Sequence, residues 1–282
     1  MTRSRYLTLI EGDLAEHMDG SLWVVKGCVH PPGGYVALPR VVESRKTKRY
    51  SESVEVVRRY YAHYVTYLAE LGREVPVVPA DDLIGTRRWM IEGRRGLSEP
   101  HGELLRLFEE VGLECGIAGS HLGGYSRPES DVDVHCLDSP GAYERIADLH
   151  SSGELQRVDF SDIVREVIDV AELLDVGVHV RLMASKLLQG RYRGRRITIR
   201  VVNCERVGEV LGPYVSTTPV DMVVRVTESD YRTPVIMGAE VVRASTPAIR
   251  KVRLLSHRLR FAEIPVGTML DVVGYLRVNA LG

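Results

Sequence analysis

Residues 131–137, DVDVHCL, form an apolar strand-like run that carries two carboxylates, and this restricts what the chain can fold into. Side chains two apart on a strand project to the same face. Asp131 and Asp133 therefore share one face, and Val132 and Val134 share the other, directed at a core. Adjacent carboxylates repel unless a proton or a cation joins them. A hard divalent ion suits them, because Mg²⁺ takes one or two carboxylates and completes its shell with water and phosphate oxygens. His135 lies on the same face. With no Cys or His partner at metal spacing, it reads as a packed neighbour rather than a third ligand.

Gly119-Ser120 precedes this run by twelve residues, room for a turn and a return strand. It follows the apolar stretch ECGIAG and opens a short helix-like segment. Glycine lets a backbone come close to an anion, backbone amides at a helix start bind phosphate, and the serine hydroxyl adds a donor. Gly119 and Ser120 are thus candidate nucleotide-binding residues, with Asp131 and Asp133 as candidate catalytic and metal-holding residues. Arg127 and Ser130, in the loop before the aspartates, are within reach of a phosphate. Lys186 and Arg200 are further basic candidates for a phosphate.

The pattern Ala118-Gly119-Ser120, ten residues, then Asp131-Val132-Asp133-Val134 resembles the signature of the DNA polymerase beta-like nucleotidyltransferase superfamily. With VKGCVHPP near its start and a β-rich end, the whole chain also looks like a group of archaeal predicted nucleotidyltransferases. The resemblance implies an α+β fold, a mixed sheet with helices on one side. It implies two Mg²⁺ ions on the aspartates, with Mn²⁺ as a possible substitute, and a nucleoside triphosphate whose phosphates lie at Gly119-Ser120. The implied reaction is attack of an acceptor hydroxyl or phosphate on the α-phosphate, with release of pyrophosphate. It also implies a third carboxylate on a later strand. The best such strand, RRITIRVVN, offers Thr198 and Arg200 there instead. Asp159, Asp162, Asp169 and Asp175 fall in helical patterns or turns and read as caps or solvated side chains. An inactive nucleotide- or RNA-binding module of the same fold is the alternative this gap leaves open.

The chain divides into a β-rich segment over 1–50, a nucleotidyltransferase-like domain over 51–208 and a β-rich domain over 209–282, with the two β-rich ends able to pack as one accessory module. RYLTLI, SLWVVKGCV and GYVALPRVV read as strands. Residues 51–72 read as one long helix, striped by Val57, Tyr60, Tyr61, Tyr64, Leu68 and Leu71. REVPVVPADDLIGTRRWM reads as a Pro-punctuated connector, SEPHGELLRLFEEVGL as a helix capped by Ser98, and VHVRLMASKLLQ leans to helix. Short strands at regular spacing beyond Pro213 suggest a small barrel-like module.

A formal charge of −1 implies no polyanionic partner in bulk. The basic residues are nevertheless clustered at 44–49, 191–200 and 249–260, and only five of the 37 are Lys. Arg is the better fork for phosphate, so RNA is a possible partner, although any one cluster taken singly reads as a solvated face. Two Asn and two Gln in the whole chain are a weak sign of heat adaptation. The four cysteines form no Cys-x-x-Cys and read as small buried hydrophobes. No apolar leader opens the chain and no window spans a bilayer, so a cytoplasmic protein without membrane contact is expected.

Overall fold

A computed structural model describes residues 8–47, 49–170, 175–209, 212, 214–245 and 249–279. Among the described residues, three sheets and six α-helices make a mixed α/β architecture. The first sheet gathers β1 (Leu14–His17), β2 (Leu22–Val25), β3 (Gly34–Val42), β4 (Arg45–Lys46), β5 (Val65–Leu68), β6 (Arg73–Pro79) and β7 (Leu83–Arg87), in the order β5-β6-β3-β2-β1-β7 with β4 beside β3. It takes strands from both sides of residue 50. Of the RYLTLI run, residues 5–7 lie outside the described residues and 8–10 are not in a strand.

The second sheet holds the aspartates. It comprises β8 (Cys115–Ile117), β9 (Val132–Leu137), β10 (Gln156–Arg157), β11 (Gln189–Tyr192) and β12 (Arg195–Val202), in the order β10-β11-β12-β9-β8. β9 and β12 run parallel, with Asp133 opposite Thr198 and His135 opposite Arg200, while β8 and β9 are antiparallel. Alternation makes the sheet two-faced. Val132, Val134 and Cys136 join Ile197, Ile199 and Val201 in one core. Over them pack Leu104, Leu105 and Phe108 of α2 (His101–Glu110) and Ala142, Ile146 and Leu149 of α4 (Ala142–Ser151). The opposite face is left with Asp133, His135, Thr198 and Arg200.

The third sheet consists of β13 (Tyr214–Glu228), β15 (Val235–Ala244), β16 (Lys251–Ser256) and β17 (Met269–Asn279), in the order β16-β15-β13-β17, while β14 (Arg232–Thr233) pairs with β12. This corrects the expected barrel. Among the described residues β16 and β17 are opposite edges that do not pair, and the sheet stays open.

Other expectations change for local reasons. α1 (Tyr50–Tyr60) ends ten residues into the predicted 51–72 helix. Tyr61 and Tyr64 turn in beside Trp23, donating to Asp19 and Asp82 at 2.6 Å each, and Val65-Thr66-Tyr67 then pairs as a strand. β-branched and aromatic residues favour the pleated alternative once a partner strand is present. The Pro-punctuated connector supplies that partner as β6, with Val75 and Val78 buried in separate clusters. α2 is entered from Pro100, not from a Ser98 cap. VHVRLMASKLLQ divides between α6 (Val176–Ser185), capped by Asp175, and the start of β11.

The cysteines are not free thiols. Cys115 and Cys136 are cross-strand partners on β8 and β9 and are joined, and Cys28 is joined to Cys204 across 176 residues of sequence. Pairing between such distant positions depends on strand register, which local spacing does not encode. Titration with Ellman's reagent in denaturant, without reductant, is expected to find no thiol; four thiols would contradict both bonds. Cys204→Ser opens the longer loop and is expected to lower unfolding stability by up to about 5 kcal/mol, read by urea denaturation.

Candidate functional site

The acidic face of the second sheet borders a cleft of about 740 Å³, walled also by the first sheet and by the 255–261 segment. Asp131, just before β9, and Asp133, on it, both line the cleft. The backbone of Gly119 lies against the Asp133 carboxylate so closely that a Cβ there would overlap Oδ2. Gly119 also has φ +59°, a left-handed conformation that glycine adopts without strain. The backbone is tied at the same point, where Ala118 N donates to Asp133 O at 2.8 Å. The glycine and the second aspartate are therefore one packed unit.

Burial, with the neighbouring Asp131 carboxylate adding to it, pushes the Asp133 carboxyl up to about 6, opposed by Arg200, Arg40 and Lys46. Lys46 lies 5.3 Å from the centroid of the Tyr125 ring, and Tyr125 lines the cleft. Thr198, directly opposite Asp133 on β12, also lines the cleft. No carboxylate occupies that register position.

Glu11 is a carboxylate of this cleft that sequence reasoning did not single out. It is buried and accepts from Gly27 N at 2.6 Å and Lys26 Nζ at 3.3 Å. Burial alone would raise its pKa, but Lys26, Arg200, His257 and the Gly27 bond together hold it down at about 2. His135 packs edge-on to Trp89, with ring centroids 5.6 Å apart, and against Gly12, where a Cβ would overlap its ring. Burial and then the Arg200 charge hold it down at about 3, so it is a neutral packed imidazole, as its spacing suggested.

The other predicted residues separate. Arg200 lines the cleft, and its Nη1 is buried without a hydrogen-bond partner. Ser120 is buried and lies outside the cleft lining. Arg127 is exposed, closes a turn by donating its backbone N to Ser130 Oγ at 2.9 Å, and lines a second cavity beside His101 and His121. Lys186 is buried with Nζ donating to Leu259 O at 2.8 Å, and burial lowers its pKa to about 8. Asp162 pairs with Arg191 at 2.6 and 2.9 Å, Asp159 bonds Ser161, and Asp175 caps α6. The side chain of Asp169 lies outside the described residues. Glu166, on α5 (Phe160–Val170), also lines the cleft but is bonded to Arg196 at 3.0 Å.

Lys46 was already marked by the basic run 44–49. Glu11, Lys26 and Arg40 carried no local signal, since the first sheet brings them over β9. Among the described residues, no group of three or more His, Cys, Asp or Glu side chains has metal-binding geometry. Comparison with known protein families, with characterised proteins and with solved structures finds no match.

The sign of the Asp133 effect is testable. A carboxyl held above its unfolded value favours the folded state while it is protonated, and this advantage is lost as pH rises from about 4 through 6. Asp133→Asn is therefore expected to raise the Tm of the ligand-free protein at pH 7, with the gain fading as pH falls towards 4. Differential scanning calorimetry across this range reads it; a Tm difference independent of pH would remove the assignment.

Proposed function

We propose that this chain is a Mg²⁺-dependent nucleotidyltransferase of the DNA polymerase beta-like kind, moving a nucleoside monophosphate from a nucleoside triphosphate to an acceptor hydroxyl or phosphate. The observation that carries this reading is the meeting of Asp131, Asp133 and the Gly119 turn at one wall of a cleft large enough for a nucleotide. The donor set fits a hard divalent cation. Two carboxylates sit close enough for one to raise the pKa of the other, as expected of a pair that gains from a shared cation. Among the described residues no third acid clusters with them, so water and substrate phosphates would complete the shell.

Asp131 and Asp133 would hold the metal, and a cation there would neutralise phosphate oxygens during transfer. Arg40, Lys46 and Arg200, whose charges act on Asp133, oppose the charge of a triphosphate. Gly119 supplies the close backbone approach, and Tyr125 forms the adjoining wall. In the transfer, the acceptor oxygen forms a new bond to the α-phosphorus, the bond to the bridging oxygen breaks, and pyrophosphate leaves with that electron pair.

One observation favours a second reading. Thr198, not an acid, stands opposite Asp133, and a site without a third carboxylate can bind nucleotide without transferring it. Isothermal titration with Mg-ATP distinguishes the parts. Wild type is expected to bind, and Asp131→Ala/Asp133→Ala to bind at least tenfold more weakly; equal binding by both would falsify the metal site. Incorporation of radiolabel from NTPs into cellular RNA or protein, abolished by Asp133→Ala, supports transfer, whereas nucleotide binding without incorporation supports the inert module.

A further inference from the structure

The cleft extends beyond the carboxylates. Its far wall is built by the start of α1, the start of β6, the segment after β16, and β17, and carries Arg49, Tyr50, Arg73, Arg258, Arg260 and Arg277. His257 lies within electrostatic range of Glu11, Lys26 and Arg200 on one side and of Arg73 on the other, so the two walls belong to one channel. Among the described residues, eight Lys and Arg against five Asp and Glu line this channel, although the whole chain has a formal charge of −1. The positive charge is thus concentrated here.

Two features of the far wall point to a ligand. Arg73 and Arg277 are close enough for the charge of one to depress the other. Arg277 is held by packing: its side chain lies against the Gly72 turn, where φ is +57° and a Cβ would crowd Arg277 and Tyr214, and its Nε is buried without a hydrogen-bond partner. Like charges gathered in this way are relieved by an anion. In addition, two guanidinium groups lie over aromatic rings, Arg258 at 5.1 Å from Tyr50 and Arg277 at 5.6 Å from Tyr214. Tyr50 is 51% exposed and lines the cleft. Several guanidinium groups and a half-exposed tyrosine ring on one wall suit a strand of phosphates and bases better than a single phosphate, which needs one cage.

We propose that the Arg73–Arg277 wall binds the end of a single-stranded nucleic acid and presents its terminal hydroxyl to Asp131 and Asp133 as the acceptor. This rests on the nucleotidyltransferase reading. The hydroxyl oxygen bonds the α-phosphorus, its proton passes to solvent, and pyrophosphate carries away the electron pair of the broken bond.

The test is fluorescence anisotropy with labelled single-stranded RNA and DNA of about 12 nucleotides, a length within the usual site sizes of such grooves. Binding of either strand by wild type is expected. Arg73→Ala/Arg277→Ala should weaken it about tenfold or more and flatten the salt dependence by about 1.4, the contribution of two phosphates. Arg73→Ala alone, at an exposed position, should flatten it by about 0.7 and serves if the double variant does not fold. Titration with Mg-ATP should be unchanged in both. The proposal is overturned if neither strand binds, if folded Arg73→Ala binds like wild type, or if millimolar inorganic phosphate displaces the strand, since that marks a small-anion site. Strand binding that survives in Asp131→Ala/Asp133→Ala supports the groove. Wild type that binds the strand but not Mg-ATP overturns the transferase reading and the acceptor role with it.

Discussion

The contact between the Gly119 backbone and the Asp133 carboxylate fixes the geometry around which this cleft is built. A side chain at 119 would overlap the carboxylate, and a right-handed backbone there would redirect the turn. Glycine meets both demands, and the hydrogen bond from Ala118 to Asp133 continues the β8–β9 pairing to the same point. β9 can then be two-faced. Its valines and cysteine join β12 under α2 and α4, while Asp133 and His135 face the other way, towards Gly119, Gly12 and Trp89. His135 contributes by packing: it fills the space left by Gly12 and lies against Trp89, which fixes the first sheet over β9.

Burial acts on two carboxylates of this cleft with opposite results. Asp133 has an acid beside it and is raised, whereas Glu11 has Lys26, Arg200, His257 and a backbone amide and is lowered. Desolvation pushes both the same way, so partners decide the sign. The cleft therefore holds one carboxyl raised by burial beside a second acid, despite Arg200, Arg40 and Lys46, and one buried acid whose charge is compensated.

Much of the second sheet was legible in the chain. Alternation in DVDVHCL placed acids on one face and apolar residues on the other, alternation in RRITIRVVN marked a strand, and SEPHGELLRLFEEVGL already read as a helix. The first sheet was not legible in the same way. Val57, Tyr61, Tyr64, Leu68 and Leu71 satisfy a helical period, yet the tyrosines leave the helix because Asp19 and Asp82 accept their hydroxyls from distant parts of the chain. Prolines that looked like punctuation sit within β6. The cysteines were indistinguishable from small hydrophobes, because only strand register puts Cys115 opposite Cys136.

By itself, the sequence determined the Gly119…Asp131-x-Asp133 device, because glycine spacing and strand alternation are local properties of the backbone. It also showed that Thr198 and Arg200 stand where an acid was sought. Only the tertiary structure decided what faces that device. Glu11, Lys26 and Arg40 arrive with the first sheet, Arg258 from the segment after β16 and Arg277 from β17, while Lys186 and Ser120 are buried outside the lining. These placements depend on pairing between residues far apart in the chain, and the free energy of such pairing lies in shared burial and register, not in any short stretch of residues.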